Sequence, residues 1–323
     1  MLKTRACDLL GIEVPIVQAG MASEFTNAEL VAAVSAAGGL GVLGCLGRPP
    51  SETEAEIRRI RELTDRPFGV NLVAHRIYER TFEACLAARP PVFTFFRGEP
   101  EQMTAVVARA HATGATVIYQ VTTVVEAEAA LAAGADALVA QGAEAGGHVG
   151  PVPLLSILPA VVALAGDHPV LAAGGIVDGP SLAAALLLGA SGAWMGTRFL
   201  ATPESRALPA HKRAIVAAGP GDTVPSGVWD TVWDTDWPGV LVRAIRNPLL
   251  ERWLGREDEI PAARAEIEAG VARAEREDNP AEIALLAGAG VGRITSTVPA
   301  GQLVREIAAD AERVLREWGQ RVG

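Results

Sequence analysis

Lysine is almost missing from this chain. Only Lys3 and Lys212 occur, and the rest of its 28 cationic side chains are arginine. Schiff-base chemistry needs a lysine in a pocket, and neither of these follows a strand pattern, so that route is closed. Cysteine is nearly as scarce: Cys7, Cys45 and Cys85 are scattered, with no CxxC and no paired spacing. They offer neither a disulfide framework nor a zinc site and fit a reducing compartment; no metal is expected. Positive charge is in deficit, the net charge being −10, so the basic footprint of a nucleic-acid surface is absent. Apolar runs such as VLAAGGIV are too short and too glycine-broken to span a bilayer. The amino terminus, MLKTRACDLLGIEVP, lacks the apolar segment of a signal peptide. The expectation is a soluble cytoplasmic protein with neither nucleic-acid nor membrane partners.

What the chain has is apolar bulk, 50% of 323 residues, enough for a large core. Short apolar runs bounded by Gly or Pro recur at 15–21, 40–44, 68–73, 91–96, 115–121, 137–142, 169–175 and 192–199. Alanine-rich segments of helical period lie between them, which is the pattern of βα units and a parallel sheet. Strands buried on both faces read as continuous apolar runs, as these do. Eight such units are the count of a closed (β/α)8 TIM barrel; an open doubly wound sheet is the alternative. After Phe199 the chain turns charged, Pro-rich and Trp-rich, with no clear strand. The reading is therefore an α/β barrel over 1–202, completed by a C-terminal helix at 299–319. A mainly helical subdomain at 203–298 is inserted after the eighth strand. Trp229, Trp233 and Trp237, four residues apart, are expected to fill its core, with one of them facing the ligand.

Ligands of such barrels sit at the carboxyl ends of the strands. Those ends carry Met21-Ala22, Asn71, Gln120, Gln141, Gly174-Gly175 and Met195-Gly196-Thr197, which are amides and glycines rather than acids. The glycine pairs after strands seven and eight match the recurrent phosphate site of this fold. Neutral amides suit a flat heteroaromatic with carbonyls and ring nitrogens. The sixth strand runs into GAEAGGHVG, residues 142–150, where four glycines surround one carboxylate and one histidine. His148 is the candidate base, because glycines let backbone approach a ligand and imidazole titrates near neutrality. Glu144 either orients that ring or is solvated. His75 is a second candidate for the same pocket. His111, His168 and His211 read as surface or structural. No cysteine lies beyond Cys85, so a barrel with a mid-barrel nucleophilic cysteine, of the IMP dehydrogenase type, is excluded.

The ordered set QAGMAS, GGLGVLG, RPFGVNL, GAEAGGHVG, VLAAGGIVDG and GASGAWMGTRFLATPES resembles the nitronate monooxygenase (2-nitropropane dioxygenase-like) family, which includes FMN-dependent enoyl-ACP reductase II. The set spans about residues 15–205; beyond it the resemblance rests on PGVLVRAIRNP and the final helix. It implies a barrel holding FMN non-covalently under a helical domain. By motif match, Met21 and Ala22 would lie along the isoalloxazine, and Asn71, Gln120 and Gln141 would bond the ring or ribityl chain. Ala145 and Gly146 would give backbone contacts, and Gly174, Gly175, Trp194, Met195, Gly196 and Thr197 would hold the phosphate. His148 matches the family's catalytic histidine. The implied reaction turns an alkyl nitronate (or nitroalkane) and O2 into a carbonyl compound and nitrite. The alternative is a flavin reductase using NAD(P)H, of the enoyl-ACP reductase II or quinone reductase type. Acyl carrier protein would then be a partner, met by a basic groove containing Arg243, Arg246 and Arg252. A flavin-binding protein without turnover is the second alternative. The chain departs from the resemblance at Ala289, where many relatives have glutamine, and at Gln120, where some have lysine.

Overall fold

In the computed structural model, which describes residues 2–322, eight parallel strands form one sheet. They are β1 (Ile16–Gln18), β2 (Gly41–Gly44), β3 (Phe68–Val73), β4 (Val92–Phe96), β5 (Thr116–Val121), β6 (Ala137–Gln141), β8 (Val170–Ala173) and β9 (Gly192–Met195). A short strand, β7 (Gly147–Val149), interrupts the count after β6. The sheet order runs β1-β9-β8-β6-β5-β4-β3-β2. Gln18 N–H donates to Leu40 O at 2.9 Å and Leu40 N–H to Ile16 O at 3.0 Å, which joins β1 to β2 and closes the barrel. All eight strands coincide with the apolar runs read from sequence.

Alternate side chains of these strands enter two cores. Val17, Val42, Ile118, Val139 and Leu171 fill the barrel interior, where Ala6, Cys7 and Leu10 of the helix Arg5–Leu10 plug the amino-terminal end. Their neighbours Ile16, Leu43, Leu138 and Ala172 face outward onto the ring of helices. The plug leaves the carboxyl end of the strands as the open mouth. The eighth helix is the C-terminal one, Ala300–Val322, packed on the helices Gly179–Leu187 and Ala28–Ala36. Small residues set the approach: a Cβ on Gly179 would stand 2.5 Å from Asp310 Cβ. Among the described residues no helix is long and apolar enough to cross a membrane.

The segment after β9 departs from expectation. Besides the helices Pro209–Ala217, Val228–Val232, Pro248–Trp253 and Ile260–Arg276, it carries β10 (Thr223–Ser226) and β11 (Leu241–Ile245). These join β7 in an antiparallel sheet ordered β10-β11-β7. Pro225 hides β10 from sequence reading, and it is tolerated because β10 is an edge strand. The glycine loop of the barrel thus supplies the third strand of the insert's sheet. Trp229 is fully buried in the insert's core, and Trp233 stacks on it, half-exposed.

Candidate active site

A cavity of about 1110 Å³, counting space open to solvent, occupies the mouth of the barrel. Every residue singled out as catalytic or cofactor-binding lies on its wall, His148 included. Among the described residues no Asp, Glu, Lys or Arg lines it, and His148 is the one ionisable group on its wall.

Glycines shape two sides. Gly174 and Gly175, after β8, have φ of +117° and +69°, the left-handed region where a side chain strains the backbone. A Cβ on Gly174 would also stand 3.1 Å from Ala145 N. Thr197 Oγ1, after β9, accepts from Gly288 N–H at 2.9 Å. Arg293 donates to Gly175 O at 3.0 Å, which sets a cation behind the glycine turn. On the other side, the loop after β6 lies directly on residues 286–290. Ala289 N–H donates to Glu144 O at 2.8 Å, and a Cβ on Gly146 would stand 2.6 Å from Ala287 C and Gly288 N. The excess of glycine at 142–150 is explained by such approaches.

The amides have different satisfaction. Asn71 donates to Thr94 Oγ1 at 2.8 Å. Gln141 donates to His148 O at 3.1 Å, but its buried Oε1 has no partner among the described residues. A buried acceptor without a donor is uncommon, and this one stands in the cavity wall.

The loop carrying Met21 and Ala22 is held by Arg48, whose side chain is wholly buried. Its guanidinium donates to Gly44 O at 3.1 Å, Ser23 O at 3.0 Å and Thr26 O at 2.7 Å, and pairs with Glu52 at 2.6 Å. Arg206 of the inserted segment pairs with the same Glu52 at 2.7 Å and with Glu56 at 2.9 Å, and it holds the Glu52 carboxyl below the usual carboxylate range. Nothing in the sequence around Arg48 signals this role.

His148 is fixed at both ends. Its backbone sits opposite Val242 in the β7–β11 pairing, and its Nε2 lies 2.8 Å from Asp230 Oδ1. Asp230 is buried on the helix Val228–Val232, and the same oxygen accepts from Thr235 Oγ1 at 3.1 Å. The imidazole stacks on Trp237, with centroids 3.8 Å apart and planes at 23°. Trp237 also packs on Phe96, and Arg97 donates to the carbonyl of Pro238 beside it. The sequence reading placed the three tryptophans together; the structure separates Trp237 from the other two. Asp230 carries no periodic signal within its polar segment, so nothing in the sequence points to it.

Other candidates go elsewhere. His75 does not line the cavity; it meets Trp237 edge-on at 4.6 Å. Burial, with Arg76 beside it, lowers its pKa. Glu144 turns away from His148: its carboxylate accepts Leu154 N–H at 2.8 Å and caps the helix Leu154–Ala165. His111 is exposed and paired with Asp136. His211 is buried with Nε2 3.0 Å from Leu286 O, and burial pushes its pKa down to about 4. The three arginines of the expected groove each have local engagements. Arg243 donates to Ala143 O at 3.0 Å, Arg246 pairs with Glu251 at 2.6 Å, and Arg252 lies over Trp253.

Comparison with known proteins fits this arrangement. FabK from Thermotoga maritima superposes with a TM-score of 0.88 at 34% identity, covering 99% of this chain and 100% of that one. Nitroalkane oxidase from Streptomyces ansochromogenes gives a TM-score of 0.83 at 32% identity, over 97% and 99%. A curated relative from Mycobacterium tuberculosis, (3aS,4S,5R,7aS)-5-hydroxy-7a-methyl-1-oxo-octahydro-1H-indene-4-carboxyl-CoA dehydrogenase, is 39% identical over 253 residues, 78% of this chain and 68% of that protein. Its namesake from Rhodococcus jostii is matched over 63% of its own length. The family model described as nitronate monooxygenase matches residues 3–81 and 73–310. This chain is an oxidoreductase and belongs to the nitronate monooxygenase family.

Proposed function

We propose that this protein is an FMN-dependent oxidoreductase that converts alkyl nitronates, with O2, to a carbonyl compound and nitrite, His148 first deprotonating neutral nitroalkanes. The observation that carries the reading is a cavity free of charged side chains, whose one ionisable group is an imidazole bonded to a buried carboxylate.

The residues present fit FMN. The orphaned Gln141 Oε1 would accept from the N–H of the ring system. The Gly174–Gly175 turn, with Gly196 and Thr197, leaves room for a phosphate where side chains would intrude. Asn71 and Gln120, on β3 and β5, also line the cavity and would bond the ring or ribityl chain, and Met21 and Ala22 would lie against the flat face. Bound there, FMN supplies the electron-accepting chemistry. The protein's part is to bind the substrate in a site without competing charge, take its proton on His148, and keep the Trp237 side of the cavity apolar with Val73, Phe96 and Leu46.

A second reading is favoured by the similarity to FabK and to a carboxyl-CoA dehydrogenase: redox chemistry on an acyl thioester, with NAD(P)H exchanging electrons with the flavin. Two measurements together separate the readings. The absorbance spectrum of the purified protein is taken before and after anaerobic addition of NADH or NADPH, and nitrite is assayed after addition of a nitronate in air. A spectrum that NAD(P)H leaves unchanged, with nitrite released, supports the monooxygenase; rapid bleaching without nitrite supports the second reading. A colourless protein that takes up no FMN rejects both.

A further inference from the structure

We propose that Asp230 is a positioning residue for the base: it fixes the tautomer of His148, so that Nδ1 is the nitrogen that receives the substrate's proton. This rests on the reading of His148 as the base, and it goes further by naming the nitrogen and the group that selects it.

An ionised carboxylate only accepts hydrogen bonds. With Asp230 Oδ1 at 2.8 Å from Nε2, Nε2 carries the proton and Nδ1 keeps its lone pair, since the hydrogen bond at one ring nitrogen decides the state of the other. Thr235 Oγ1 donates to that same oxygen at 3.1 Å, and Thr235 N–H donates to Asp230 O at 2.9 Å, so the carboxylate is itself held. Among the described residues no group bonds Nδ1, while the side chain as a whole stands on the cavity wall. Trp237 covers one face of the ring. Strand pairing fixes the backbone at His148, and turning the ring over would give up the Asp230 bond at Nε2.

In the proton transfer the substrate's C–H bond breaks, the proton passes to Nδ1, and the electron pair stays on the substrate as the nitronate. Asp230 takes no proton; it remains a carboxylate beside the imidazolium. Both Asp230 and Trp237 come from the inserted segment, so the barrel presents the histidine and the insert sets its chemistry.

The test uses Asp230→Leu, Asp230→Asn and His148→Ala in the FMN-loaded protein. Nitrogen-15 NMR, with the His148 signals assigned by their loss in His148→Ala, should show a single Nε2–H tautomer in the wild type and a mixture in Asp230→Leu. Turnover of a neutral nitroalkane should fall about 100-fold in Asp230→Leu, within the usual contribution of a general base. Turnover of the pre-formed nitronate should change only a few-fold. Asp230→Asn, whose amide oxygen can still accept from Nε2, should recover part of the loss. An unchanged tautomer in Asp230→Leu, or equal loss on both substrates, overturns the proposal. If Asp230→Leu does not fold, Asp230→Asn decides: undiminished nitroalkane turnover overturns it, and a tenfold selective loss supports it. Failure of the underlying reading looks different, because His148→Ala would then keep its nitroalkane activity whatever Asp230 does.

Discussion

Two regions meet at the cavity, and they are built from different chemistry. The barrel contributes glycines, alanines and amides at the ends of strands held by ladder bonds along both edges. The segment from 203 to 298 contributes a carboxylate on a five-residue helix, an indole on the loop beyond it, and a strand that clasps the histidine. A wall of neutral groups on strands held by ladder bonds leaves the cavity without competing charge. A charged group is costly to bury, so the one carboxylate near the reacting side is placed behind the histidine, off the cavity wall. The barrel supplies most of the cavity wall, and the segment from 203 to 298 supplies the groups that hold the His148 ring.

The largest effect should come from the residue that both regions share. His148→Ala should keep the flavin spectrum, lose about 10²- to 10⁴-fold in turnover of a neutral nitroalkane, and lose far less on the pre-formed nitronate. Steady-state kinetics on the two substrates checks this; equal losses would remove the division of labour.

A barrel-side break comes next. Arg48→Met takes away a buried cation that bonds three carbonyls and a glutamate, and breaking such a buried set costs about 3–5 kcal/mol. Urea unfolding should register it, together with weaker FMN binding through the loosened Met21–Ala22 loop. Full stability with weak FMN binding would contradict the account of Arg48 as the clamp.

On the insert side, pH provides the lever. His211 ordinarily titrates near 6.5, but in the folded chain burial holds it to about 4. Between those values the unfolded chain takes up a proton that the folded chain refuses. The contribution is therefore fully present above pH 6.5 and lost as pH falls toward 4, by up to about 3 kcal/mol. His211→Gln, which cannot ionise, should flatten the unfolding midpoint across that window relative to wild type; identical pH dependence would refute the assignment. The smallest effect is expected at Trp237→Phe. A smaller ring still covers His148, so nitroalkane turnover should drop only a few-fold, about 0.5–1 kcal/mol, with stability nearly unchanged.

How much of this was legible in the sequence follows from the same contrast. The barrel strands could be read because burial on both faces makes them continuous apolar runs, and the cradle could be read because glycines at successive strand ends are a local signal. The pairing of β7 with β11 could not. A three-residue strand inside a glycine loop has no periodicity, and its partner lies nearly a hundred positions away. Asp230 was invisible for a related reason: a carboxylate in a polar segment looks solvated until the fold brings it to residue 148. Trp237 shares its spacing with Trp229 and Trp233, yet the left-handed turn at Asp234, φ 53°, carries the chain out of the helix before it. Spacing therefore suggested one core where the structure makes two environments.

The strand β7 has a consequence for inheritance. In the chain His148 belongs to the barrel, while in hydrogen bonding it belongs to the insert's sheet. The two regions are therefore not separable modules. A chimera that takes residues 203–298 from a relative replaces both the strand paired with His148 and the residue at its Nε2. Changes confined to 203–298 therefore reach His148 through that pairing, with GAEAGGHVG left as it stands.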